Sequence, residues 1–437
     1  SPVRLIQVIQ GAAAVTVLDS EELVFSPALT IPDRLRYESG IDVAAARHGQ
    51  YEVGLRGYGS LNHPRTLALY DGRPLRFEQI GAQHWIAAIH PSDLDRVEVV
   101  KGPASVTYGA NAFGGVIAVE PRPAPATRQV TTFIQLGSEG LYDGDITVAA
   151  PFEEIAWAER IWFKARAGFS HRGDLPGPTG HEPGPAHPRI DSTGEDSLEA
   201  LRTSGVIGID WQDGWGLELE AGYTELEPWD LLTDYIAGVY SVRSDTLHGS
   251  ATLHLPWGEL RHIHNESDVF FSNQKYTYDP SAHADFWYFQ AAFDDVWDQT
   301  RLQFDLDLGQ HALSFGGEYE RFESTSNLWN ADGIAADPAT HDTITTENVA
   351  VFAEDQWLID ERWALTLGLR VDDHSVVDVN VSPRLAVNYQ KGPDEFWRLG
   401  FSSGYRLPNS LELHIDTRFF TSADGIAFPS AHASPVV

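Results

Sequence analysis

Few residues in this sequence have the types and spacing that chemistry needs. His181-Glu182-Pro183-Gly184-Pro185-Ala186-His187 sets two imidazoles around a carboxylate, the composition of a zinc-hydrolase motif. That motif works only on a helix that puts both His on one face; Pro183 and Pro185 forbid such a helix, so the stretch reads as a solvated loop. Asp372-Asp373-His374 offers metal ligands, but at an expected strand end, where charges are ordinary. The absence of Cys removes thiolate nucleophiles, Cys-ligated zinc and disulfides. No phosphate loop of the G-x-x-x-x-G-K-[ST] type, no G-x-G-x-x-G opening a helix after a strand and no nucleophile elbow occurs. No catalytic constellation results, and no metal or cofactor is expected. What remains is a set of charges in otherwise apolar strands, Arg56, Arg96, Glu98 and Lys101, whose burial would require partners.

The elements that must position these charges are short. Ala14 to Leu18 is β-prone, and Ser20 can cap a turn over Glu21 to Leu23. Thr30 before Pro32 and Asp33 predicts a helix start, and Gly40 its stop. Strands are expected at Glu52 to Arg56, Thr66 to Tyr70, Arg96 to Val100 and Val116 to Val119, and Pro121, Pro123 and Pro125 mark a boundary. The first unit is therefore a compact α/β domain over residues 1–125.

After Thr127 the texture becomes period-two alternation, as in Thr132 to Leu136, Trp162 to Phe169, Leu217 to Tyr223, Arg301 to Leu308 and Ala364 to Val371. Such strands face an apolar medium on one side and a polar one on the other. A soluble sandwich and an outer-membrane barrel both satisfy this pattern. Long connections at Arg172 to Ser197 and Asn327 to Thr343 contrast with brief turns at Asp360-Glu361 and Lys391 to Asp394, the rim asymmetry of outer-membrane barrels. No apolar run reaches the roughly 20 residues of a spanning helix, so only a barrel could carry this chain across a bilayer. Acidic residues outnumber basic ones 63 to 30, which argues against nucleic acid as a partner. Aromatic residues at 11%, with 13 Trp, suit interfacial girdles, though an aromatic-rich soluble β-protein shares that composition.

Several motifs then arrive in a fixed order: Asp33-Arg34-Leu35-Arg36 with Gly40 to Val43, Leu55-Arg56-Gly57, Leu69 to Leu75, and Asp95 to Ser105 followed by Tyr108 to Ile117. Together they resemble the plug of TonB-dependent receptors. Val351 to Trp357, Leu367 to Arg370, Ser382 to Arg384 and Gly404 to Glu412 are similar to mid-barrel strands of that family. The resemblance implies an N-terminal α/β plug domain inside a large antiparallel transmembrane β-barrel, with residues 126–437 supplying roughly 13 of about 22 strands. Closure is therefore expected to need further sequence or a second polypeptide.

By the same resemblance the expected activity is active uptake of a scarce solute across the bacterial outer membrane. A ferric siderophore or other metal chelate comes first, with haem, cobalamin and glycans open. A surface binding or assembly role without transport is the alternative, and a soluble all-β enzyme the more distant one. The implied partners are outer-membrane lipid and the inner-membrane protein TonB. TonB would pair with a β-prone segment such as Val3 to Gln10 or one preceding Ser1. Ligand contacts are expected on two apical loops, through Tyr58, Asn62, His63, Arg65, His84 and Trp85. Arg56, Arg96, Glu98 and Lys101 are expected to latch the plug, with carboxylates of the barrel wall and neighbouring plug charges as their partners.

Overall fold

The computed structural model describes residues 14–24, 26, 28, 30–47, 49–58, 65–86, 88–138, 140–152, 157–173, 197–233, 238–272, 290–326, 342–392 and 395–414. Asn62, His63, the Val3 to Gln10 segment and the His181 to His187 stretch lie outside them.

The N-terminal unit is built on a five-stranded sheet, β1 (Ala14–Asp19), β6 (Leu94–Lys101), β7 (Gly115–Pro121), β4 (Thr66–Tyr70) and β5 (Arg73–Pro74), in that spatial order. Only the β4 and β7 pair is parallel. Thr66 to Tyr70 is apolar without alternation because both faces of β4 are covered. Ala68 and Tyr70 join Val97, Val99, Ile117 and Val119 in one core, while Leu67 and Leu69 join Val100, Val116 and Ala118 in another. A hairpin of β2 (Ile41–Arg47) and β3 (Gln50–Leu55) stands beside the sheet. The helix Ile31–Leu35 starts where the sequence predicts, with the Thr30 hydroxyl oxygen accepting from the Asp33 N–H at 3.2 Å. At Gly115 (φ +143°) an added Cβ would collide with the Val100 carbonyl and Leu55, so glycine is required for β6 and β7 to meet there.

Among the described residues, those beyond 128 form thirteen antiparallel strands in chain order, from β8 (Gln129–Leu136) and β9 (Tyr142–Phe152) to β19 (Asn380–Gly392) and β20 (Glu395–Ser402). The edge strands β8 and β20 are not bonded to each other, as expected of an incomplete barrel. Strand β17 (Asp342–Leu358) shows the alternation plainly: Val349 and Val351 are 54% and 59% exposed, whereas Ala350 and Phe352 are buried on the inner side. Phe152, last in β9, shares one row of partnered residues with Val381, second in β19. Such a row runs perpendicular to the strands, so this stagger is the tilt that closure into a barrel demands, about 35–45°. The short turns gather at one rim, where Trp215, Trp257, Trp357, Trp363 and Trp397 are exposed as an interfacial girdle.

Candidate functional site

The first unit sits against the inner side of the sheet and is bonded to strands from β8 to β19. Near the short-turn rim, Asp93 of the plug meets Lys164 at 3.2 Å and Arg166 at 3.3 Å, both on β10 (Arg160–Arg172), and all three side chains are buried. Arg166 also pairs with Glu220 on β12 (Gly216–Thr233) at 2.6 Å. Burial is the largest influence on Asp93 and raises its carboxyl above the usual range, although Lys164 and Arg166 pull the other way. The Asp71-Gly72 turn between β4 and β5, left-handed at both residues, brings Asp71 within 3.3 Å of Arg261 on β14 (Gly258–Ser272). Higher up, Arg301 on β15 (Gln290–Asp307) donates to the Thr107 carbonyl at 2.8 Å, and Arg384 to that of Pro103 at 3.2 Å.

In these contacts barrel cations hold plug carboxylates and carbonyls, whereas the charges expected to latch the plug, with wall carboxylates and neighbouring plug charges as partners, find theirs inside the plug. Arg56 is exposed, because with Gly57 it forms a left-handed two-residue turn that projects from the end of β3. Arg96 is half-buried and paired with Asp95 at 2.7 Å and Glu98 at 2.6 Å, and Lys101 donates to the Ser39 carbonyl at 2.7 Å. All of these partners lie within the plug. The missed signal was position: Lys164 and Arg166 occupy inward places of an alternating strand, where a charge has only the plug to face.

His90 joins plug and wall from another direction. Its Nδ1 lies 3.0 Å from Asp145 on β9, and its Nε2 lies 3.3 Å from the Ser204 hydroxyl. Arg202, 3.0 Å from the same carboxylate, already balances it. Burial pushes the imidazole down to about 4, more than Asp145 lifts it, so at neutral pH the ring is uncharged and donates from Nδ1. An undocked His90 takes a proton near 6.5, so docking contributes stability above that pH and loses it as pH falls toward 4. The plug's hold should weaken by roughly 2 kcal/mol between pH 7 and 5. Hydrogen exchange at the backbone of residues 90–96 should follow that slope, and His90→Gln should flatten it.

At the long-loop end, the segment after β20 turns inward across the plug. The Asn111 N–H donates to the Tyr405 carbonyl at 2.9 Å, and the Leu407 N–H to Asn111 Oδ1 at 3.1 Å. Asn409 Nδ2 donates to the Ile80 carbonyl at 3.0 Å. The strap is stiffened locally: Asn409 and Glu412 cap each other's N–H at 2.8 and 2.9 Å, and Arg406 grips Glu412 through two contacts at 2.6 and 2.8 Å. A vestibule lined by Arg76, Glu78, Asn111, Glu320, His374 and Arg406 opens beside it.

Of the expected ligand contacts, Tyr58 and Arg65 are exposed at this end, with Tyr58 edge-on to Phe113 at 5.3 Å. His84 is half-buried and lines a cavity beside Phe77, and burial lowers its imidazole to about 4. Trp85 is buried in the plug core, and Phe77 and Ile80 pack on wall residues such as Leu226 and Phe271. The second loop is thus apical, but its apolar residues serve packing. Asp372 is buried and receives Arg370 at 2.9 Å and Asn348 at 3.0 Å.

A plug seated on the inner face of tilted, outward-apolar strands defines a class of protein, the plugged outer-membrane barrel. The family model described as TonB-dependent Receptor Plug Domain matches residues 7–116, and TonB dependent receptor-like, beta-barrel matches residues 168–431. The chain belongs to the TonB-dependent receptor family, and its place is the outer membrane. It is 25% identical over 428 residues to the Iron-regulated outer membrane virulence protein of Vibrio cholerae, covering 94% of this chain and 60% of that protein. It is 21% identical over 487 residues to the Ferric enterobactin receptor PirA of Pseudomonas aeruginosa, covering 96% and 62%. The solved ferric enterobactin receptor PfeA of Pseudomonas aeruginosa superposes with a TM-score of 0.68 at 18% identity, over 94% of this chain and 64% of that one. The chain thus spans about 60% of the length of these relatives.

Proposed function

We propose that the chain is the plug and leading barrel portion of a receptor for TonB-dependent uptake of a metal chelate, with a ferric siderophore the preferred class. The observation that carries this reading is a plug held between basal ion pairs and an apical strap, with a polar vestibule above it. Relatives named for ferric enterobactin and iron regulation support the ligand class, and a 22% identical relative named as the Vitamin B12 transporter BtuB of Photobacterium profundum keeps other chelates in view. Tyr58, Arg65 and His84, with Asn62 and His63, are the proposed plug contacts. Chelates held at nanomolar strength are bound by about 12 kcal/mol, so release inward needs work, and TonB is the partner proposed to supply it. The protein is read as a transporter and not an enzyme.

The test is uptake of radioactive iron, presented as a panel of chelates, by cells that carry the complete gene and lack their own receptors. At least one chelate should accumulate only when TonB is present, while its surface binding stays the same without TonB. Binding without TonB-dependent accumulation for every chelate would replace transport with a surface-binding role.

A further inference from the structure

One register row of the wall places unusual chemistry in the lumen. Thr246 on β13 (Gly238–Leu255) pairs with Ser267, Ser267 with Asp295, and Asp295 with Ser324 on β16 (His311–Ser326). A single carboxylate is therefore flanked by hydroxyl-bearing residues on adjacent strands. Asn265 stands two residues from Ser267 on the same face of β14. Thr246, Asn265, Ser267 and Asp295 all line a cavity of about 50 Å³, which plug residues Arg73 to Glu78 complete from the other side.

Asp295 is 4% exposed, and beyond the Ser324 hydroxyl on the neighbouring strand its carboxylate meets no donor and enters no ion pair among the described residues. The Asn265 amide oxygen is buried without a partner. The plug does not supply the missing charge. Arg76 is committed to Glu78 at 2.7 Å, and Arg73 sits in the field of Glu220, Tyr70 and Asp71. An unpaired buried carboxylate costs several kcal/mol unless a positive charge or a proton offsets it, and an ionisable group kept at membrane depth marks a functional site.

We propose that this cavity binds one compact monovalent cation, an alkali-metal ion or ammonium, held by Asp295, the Asn265 amide oxygen and the neighbouring hydroxyls. One carboxylate among neutral oxygens matches a single charge, whereas calcium and magnesium sites use more carboxylates or an octahedral shell. The volume admits an ion with a water or two and excludes a metal chelate. The site ties wall strands β13 to β16 to the plug segment Arg73 to Glu78, and it shares Arg76 and Glu78 with the vestibule. It does not depend on which chelate is carried.

The test uses the full-length receptor in detergent at constant ionic strength, with sodium, potassium, ammonium or choline as the only cation. Thermal unfolding, with Trp297 in the cavity lining as fluorescent reporter, should show a saturable rise with the small cations and none with choline. Response to the alkali ions alone, or to ammonium alone, tells the two sources apart. Asp295→Asn, of the same shape, should lose the response, and Asn265→Leu should weaken apparent binding by about tenfold, or 1.4 kcal/mol. Crystals soaked in thallium(I) should give an anomalous peak beside Asp295. A protonated, empty site would respond equally to choline, keep its response in Asp295→Asn or show no such peak, and any of these overturns the proposal.

Discussion

Replacing Asp93 with Ala in the full-length receptor should loosen the plug's hold on the wall by about 3–5 kcal/mol, because removing one partner leaves buried opposite charge uncompensated. Lys164 would keep only the Arg122 carbonyl, while Arg166 would retain Glu220. Asp93→Asn keeps an acceptor for both cations and should cost about half as much. Arg96→Ala provides the contrast: its partners Asp95 and Glu98 are 35% and 28% exposed, and exposed pairs contribute about 0–1 kcal/mol. Hydrogen exchange over β6 and β7 and the urea midpoint of plug release should rank Asp93→Ala well below Asp93→Asn, with Arg96→Ala near wild type. Equal effects of Asp93→Ala and Arg96→Ala would return the latch to the strand β6 charges.

That ranking shows which parts of the molecule were legible in the sequence. The plug was readable because its turns need particular residues: Asp71-Gly72 can be little else than a tight hairpin turn, and Thr30 with Pro32 marks a helix start. The barrel was readable because lipid imposes a period of two, and β17 displays it residue by residue. Partnership was not readable. Arg96 and Glu98 on β6 looked like a latch because both interrupt an apolar strand, yet their position two apart on one face lets them satisfy each other. Asp93 precedes that strand in a short 3₁₀ turn, Pro91–Asp93, and only the docked structure sets it between Lys164 and Arg166. Trp85 is illegible for a related reason: an aromatic residue in a loop can pack inward as readily as outward, and here it joins the plug core.

Joining the strap to the plug by a disulfide should abolish uptake while leaving chelate binding intact. Residues 1–437 contain no Cys, so a pair introduced at Gly404 and Ser105 meets no native thiol within them. A Cβ built on Gly404 would lie 3.1 Å from the Ser105 Oγ, close to the separation between a Cβ and the far sulfur in a disulfide. The backbone around it is already bonded, with the Tyr405 N–H 3.4 Å from the Ser105 hydroxyl oxygen and the Asn111 N–H on the Tyr405 carbonyl. Phe113 and Pro103, each with a carbon 3.1 Å from that Cβ, must give by a few tenths of an ångström, after which the bridge fixes an arrangement that already exists. If the plug must part from the strap before a chelate can pass, the oxidised Gly404→Cys, Ser105→Cys receptor should take up less than a tenth of the wild-type amount. A reductant should restore uptake, and either single variant should behave like wild type in both conditions. Binding to whole cells checks that the apical surface is unharmed, and a gel shift of a proteolytic fragment confirms the bridge. Full uptake through a confirmed bridge would mean that the strap and the loop around Ser105 move together, and that the opening lies elsewhere along the wall.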